Sequence, residues 1–280
     1  MSPASQSWRE AVARSRTPEG LAGAPPAWEP DEVWVREADA PRAPRGRGRR
    51  GMADVAGPTE EPRGRRKPKT LPPEVTSELT DAVSGKAAAA KLNQRLTDAT
   101  GAFERERYGD AARMLKPLAE QAPGASAVRE LYGLTLYRLG RWDAASKELE
   151  AFRLLSPDSV DQHPTLADCY RAKKRWRKVD ELWEELRKAS PAPDLVAEGR
   201  LVYAGSLAER GQMSEAIELL ERAKTDQKKP RPDHLRTWYA LADLYERAGE
   251  VPRARELFRR VLRFDDELYD TADRLRGLGG

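Results

Sequence analysis

Apolar residues are sparse before about residue 70 and recur steadily after it. Residues 1–70 are rich in Pro, Gly, Ala and Arg and carry no apolar periodicity beyond about three turns, too little to offset chain entropy. The pattern predicts a disordered leader over 1–70. From Leu71 the character changes: Val75, Leu79, Ala82, Val83 and Ala87 fall at helical spacing behind Pro72 and Pro73, with Gly85 weakening the middle. An N-terminal capping helix is expected over 71–91.

Beyond Leu92 the pattern copies itself. Tyr108, Trp142 and Trp176 are 34 residues apart, and the same offset carries Leu115 to Leu149 to Trp183, Leu118 to Phe152 to Leu186, and Pro123 to Pro157 to Pro191. Four registers moving together define a repeat. Two further copies follow, in Tyr203-Ala204, Leu207, Gly211, Met213, Ala216 and Leu220, and in Leu241-Ala242, Tyr245, Gly249, Val251, Ala254 and Phe258. The repeats are placed at 92–125, 126–159, 160–193, 197–234 and 235–268, with a C-terminal cap and tail over 269–280.

This pattern resembles the tetratricopeptide repeat, a 34-residue helix–turn–helix unit. The family's small residue where its two helices touch is matched by Ala99, Gly133, Ala167, Ala204 and Ala242, and that of the second helix by Ala111, Ala145, Ala216 and Ala254, with Val179 the departure. The resemblance implies an all-α, right-handed solenoid of about five repeats with terminal cap helices. The overall character is similar to repeat proteins of high-GC actinobacteria. Physically, small residues let helix backbones approach, and Trp142 and Trp176 are expected to fill the wedge at the turn. One repeat cannot bury its own apolar face, so stacking supplies the core.

In this family the first helices line a concave face that binds peptides or helices. The registers place there Phe103 and Glu104, Tyr137 and Arg138, Asp168 and Arg171, Gly205 and Glu209, and Tyr239, Asp243, Glu246 and Arg247. A variant of the family grips a terminal carboxylate with asparagines. The matching positions here read Thr100, Leu134, Asp168, Gly205 and Asp243, so that clamp is absent. The same residues also suit a solvated helix face with local ion pairs.

Charge is segregated along the chain. Of 50 basic and 46 acidic residues, 1–39 hold 4 and 7, 40–70 hold 10 and 3, and 71–280 hold 36 and 36. The repeat region is therefore neutral overall, and the electrostatic attraction for polyanions is expected in the leader, at Arg45, Arg47, Arg49, Arg50, Arg65 and Arg66. An arginine-rich codon bias gives the same composition, so a solvating tail fits as well. Trp8, Trp28 and Trp34 lie in the leader as candidate docking residues, for this chain's own groove or for another protein.

Candidate chemistry is thin. Cys169 is the only cysteine, which excludes an intrachain disulfide and suits a reducing cytoplasm. His163 and Cys169 lie six apart in one predicted helix, on roughly opposite faces, and His234 sits two repeats away. No nucleotide-loop spacing follows a strand, and no apolar run suits a membrane span. The sequence reads as a protein-binding scaffold rather than an enzyme, with a peptide or protein partner and no cofactor, metal, membrane or small-molecule substrate. An RNA-associated role through the leader is the second reading.

Overall fold

The computed structural model describes residues 71–83, 85–223 and 229–279. They form twelve helices, with no strand among the described residues. These are α1 (Pro73–Asp81), α2 (Lys86–Glu104), α3 (Tyr108–Gln121), α4 (Ser126–Arg138), α5 (Trp142–Leu155) and α6 (His163–Ala172). The chain continues through α7 (Trp176–Ala189), α8 (Pro193–Glu209), α9 (Met213–Glu221), α10 (Pro232–Arg247), α11 (Val251–Leu262) and α12 (Thr271–Gly277). Helices α2 to α11 make five antiparallel pairs, and α1 and α12 flank them.

The hinge inside each pair is the same five times. A residue with positive φ ends the first helix: Glu106 (59°), Gly140 (69°), Lys174 (54°), Gly211 (83°) and Gly249 (80°). The next residue's N–H then donates back to the carbonyl five positions earlier, as from Arg107 to Ala102 (2.9 Å), Arg141 to Leu136 (3.0 Å), Arg175 to Tyr170 (2.8 Å), Gln212 to Leu207 (2.9 Å) and Glu250 to Tyr245 (2.8 Å). This 6→1 bond satisfies a carbonyl that the helix end would otherwise orphan and turns the chain sharply.

Folding back brings the small residues together. Ala99, Ala204 and Ala242 on the first helices and Ala111, Ala145, Ala216 and Ala254 on the second are all buried. At Gly133 the approach is too close for a side chain, since a Cβ there would lie 2.7 Å from the Leu149 side chain of α5. First helices also touch first helices along the row, from α2 to α4, α6, α8 and α10. Second helices meet chiefly the first helices on either side. The apolar clusters this creates are joined by half-buried tyrosines: Tyr132 packs against two of them, and Tyr203 against three, stacking on Trp183 with centroids 5.4 Å apart.

Two expectations need correction. The capping helix expected over 71–91 is broken, because Gly85 adopts φ 103° and starts a new helix at Lys86. The cap is therefore α1 alone. It buries Val75 and Leu79, and its Glu78 carboxylate accepts from the Ser126 hydroxyl (2.6 Å) and the Ala127 N–H (3.3 Å) at the start of α4. The wedge tryptophans, Trp142 and Trp176, are only half-buried. Each begins a second helix and stays partly open to water. Trp142 stands edge-on to Tyr137 at 5.3 Å, and Arg210 crosses Trp176 at 5.8 Å.

The fully buried indole is Trp238 in α10. Trp238→Ala is expected to cost about 3–5 kcal/mol, as for other buried aromatics. Trp142→Ala should cost only about 1–2 kcal/mol, because much of its ring stays wet. Urea unfolding of the two variants checks the order.

Candidate functional site

The row of first helices carries a chain of polar side chains across three repeats. From α4, the Tyr137 hydroxyl donates to Asp168 Oδ2 at 2.6 Å. On α6, Asp168 Oδ1 accepts from Arg171 Nε at 2.8 Å, one turn along the same helix. Arg171 then reaches α8, where it pairs with Glu209. Gly205 lies alongside, where a Cβ would meet the Arg171 side chain at an ordinary contact distance, 3.6 Å. Burial alone would lower the Arg171 pKa, but the Asp168 and Glu209 carboxylates outweigh it and push the pKa upward. The guanidinium is charged at every physiological pH.

A second cluster closes the C-terminal end. Arg274 of α12 donates to Asp243 (2.8 Å) and to Glu246 (2.7 Å) on α10, while Tyr239 donates to Asp270. Burial and the Asp270 carboxylate together push the Tyr239 phenol well up, so it keeps its proton. Thus α12 occupies the acidic end of the row with its own arginine.

These contacts sort the residues singled out from the sequence. Tyr137, Asp168 and Arg171 are brought together, with Glu209 completing the chain. Arg138 is half-buried and lies over the Tyr108 ring at 5.1 Å. Arg247 is exposed and sits 3.5 Å from Asp243. Phe103 and Tyr239, expected on the open face, are core residues, 2% and 0% exposed. Phe103 packs edge-on to Tyr108, and Tyr239 is enclosed by Phe258 and Tyr269. Their rings point between helices because the apolar stripe of each first helix is wider than one row. Arg45, Arg47, Arg49, Arg50, Arg65, Arg66 and the three leader tryptophans lie outside the described residues.

The role of α12 is not evident from the repeat register, because it falls beyond the last repeat. A signal was present in the offsets: Tyr137 to Asp168, Tyr239 to Asp270 and Asp243 to Arg274 are each 31 residues apart.

His163 and Cys169 do not form a reactive pair. Cys169 is fully buried, which pushes its thiol pKa well up and keeps it protonated. His163 Nε2 lies 2.9 Å from Glu185, which also pairs with Arg153 at 2.7 Å. Among the described residues no group of three or more His, Cys, Asp or Glu could hold a metal ion. No helix among them is long and apolar enough to cross a membrane.

Tetratricopeptide-repeat family models match residues 102–169 and 195–267. The chain is a tetratricopeptide-repeat protein. Its fold is similar to the crystal structure of a thermophilic TPR protein from Thermus thermophilus, with a TM-score of 0.53 at 17% identity, over 67% of this chain and 98% of that one. No curated protein matches the chain. Against the repeat family's asparagine clamp, this tetratricopeptide-repeat protein puts Asp168 and Asp243 at two matching positions and ties each to an arginine of its own.

Two outcomes follow from the tetratricopeptide-repeat scaffold's buried charges. The Arg171 and Asp168 side chains are 11% and 6% exposed. Arg171→Met strands both carboxylates and should cost about 3–5 kcal/mol in urea unfolding. At His163, burial holds the imidazole pKa below its ordinary 6.5, although Glu185 pulls the other way. The unfolded chain therefore binds this proton more readily than the folded one. Stability should be complete above pH 6.5 and fall as pH drops from there towards the lower folded pKa. An NMR titration of the two histidines should show His163 with a midpoint under 6.5.

Proposed function

We propose that this tetratricopeptide-repeat protein is an adaptor that holds a peptide or protein partner against its row of first helices. The observation that supports this reading is the chain Tyr137–Asp168–Arg171–Glu209, which crosses three repeats and fixes polar groups of both signs in place. A face whose side chains are already ordered loses little entropy when a partner docks. Arg138, Arg247 and Glu209 border it and offer the partner mixed charge rather than a single-sign field. The single buried Cys169 suits an adaptor working in the reducing cytoplasm. Tetratricopeptide-repeat folds generally serve protein–protein interaction, and nothing in the face suggests a reaction.

The test is capture of partners by the full chain after nuclease treatment, with crosslinking mass spectrometry to place them. Arg138→Glu with Arg247→Glu should reduce capture at least about tenfold while the melting midpoint stays within about 2 °C, since rim charges contribute little to stability. Undiminished capture by this folded variant, or crosslinks confined to the second helices, would move the partner off the row.

A further inference from the structure

Three features mark the turn between α6 and α7, and the second sets it apart from its four counterparts. First, Lys174 holds the left-handed position, φ 54°, where three of the other turns use glycine. A lysine there is strained by its Cβ. Second, the run Lys173-Lys174-Arg175-Trp176-Arg177-Lys178 sets five cations within six residues. Third, α7, like α11, has no acid in its first turn, whereas α3, α5 and α9 have Asp110, Asp143 and Glu215. Cations crowd the positive end of a helix dipole, the reverse of what helix stability favours.

Neighbouring acids neutralise only part of this charge. Asp143 pairs with Lys173 at 2.6 Å, and Glu181 pairs with Lys178 at 2.9 Å and with Arg177 at 3.1 Å. Lys174 and Arg175 are exposed and have no carboxylate within ion-pair distance among the described residues, and the same holds for Arg141. Arg107, Arg141 and Arg175 hold the same place in three successive turns, each donating the 6→1 bond, so three cations run along one edge of the stack. Arg107 is paired with Asp110 at 3.2 Å, and Arg141 and Arg175 have no such carboxylate among the described residues. The neutrality of residues 71–280 as a whole hides this edge.

We infer that the α6–α7 turn, with Arg141 beside it, is a docking edge for the phosphate backbone of a single-stranded nucleic acid. An acidic protein would answer the charge equally well at this turn alone. What favours a nucleic acid is the second basic stretch of the same chain, residues 40–70 with 10 cations against 3 acids. A strand with a charge at every nucleotide can engage both stretches together, and the second engagement is then intramolecular. This site is separate from the row of first helices and does not depend on the adaptor reading.

The experiment uses the full chain and a fluorescein-labelled 20-nucleotide oligouridylate, read by fluorescence anisotropy across a salt series. Replacing Arg45, Arg47, Arg49, Arg50, Arg65 and Arg66 with Ser isolates the edge. That variant should still bind, with log affinity falling against log salt at a slope of about −2, as about three phosphate contacts on a single strand require. Adding Lys174→Gly and Arg175→Ser should weaken it at least about tenfold and flatten the slope by about 1.4. Lys174→Gly alone should meanwhile raise the melting midpoint by about 2–4 °C, because glycine relieves the left-handed strain, so lost binding cannot be lost folding. Glu106→Gly, the same relief in a turn without the run, should raise the midpoint and leave binding unchanged. Loss of all binding on replacing the leader arginines overturns the inference, as does an unweakened turn variant. Displacement of the oligonucleotide by polyglutamate at equal charge overturns it in favour of an acidic protein.

Discussion

Each helix pair is held closed by one left-handed residue and one 6→1 hydrogen bond, and every larger feature of the molecule follows from that hinge. It recurs five times with donor–acceptor distances between 2.8 and 3.0 Å, so each second helix starts from the same hydrogen-bonded turn. The same faces then meet in every unit, which is why alanine or glycine recurs where the backbones cross. It is also why the residue after each hinge lands on one edge. Packing alone would not order the edge; the hinge does.

The polar row sits on this frame as a second layer of order. Tyr137, Asp168, Arg171 and Glu209 come from three different repeats, and the contacts of Tyr137 with Asp168 and of Arg171 with Glu209 bind neighbouring units to each other. At the far end α12 repeats the logic with Arg274 on Asp243 and Glu246. Isolated buried charges are destabilising, whereas a chain in which the two central members, Asp168 and Arg171, each answer two others keeps its cost low and fixes one alignment of the helices. The row of first helices is therefore itself part of what keeps the stack in register.

The repeat was legible in the sequence because stacking demands the same apolar residue types at the same offset, and 34-residue spacing of Tyr108, Trp142 and Trp176 could arise in few other ways. What was not legible were features set by the third dimension. Gly85 read as a weak point in one helix, whereas its φ of 103° makes it the boundary between two. Phe103 and Tyr239 fell in a groove register but are needed in the core, since period alone does not say how wide the buried stripe is. Trp142 and Trp176 were read as full wedges because a large apolar ring invites that inference, yet both stay partly open to water. Arg274 escaped notice because it belongs to no repeat.

The tyrosines that join the core clusters give the solenoid a grain. Tyr132 and Tyr203 are half-buried, and each packs against the apolar cores on either side of it, with Leu219 a further link beside Tyr203. A rod built this way is stiff within its segments and compliant at its couplings. Bending or stretching load applied to its ends would concentrate at these two aromatic joints, and the curvature of the stack would be set there rather than spread evenly along its length.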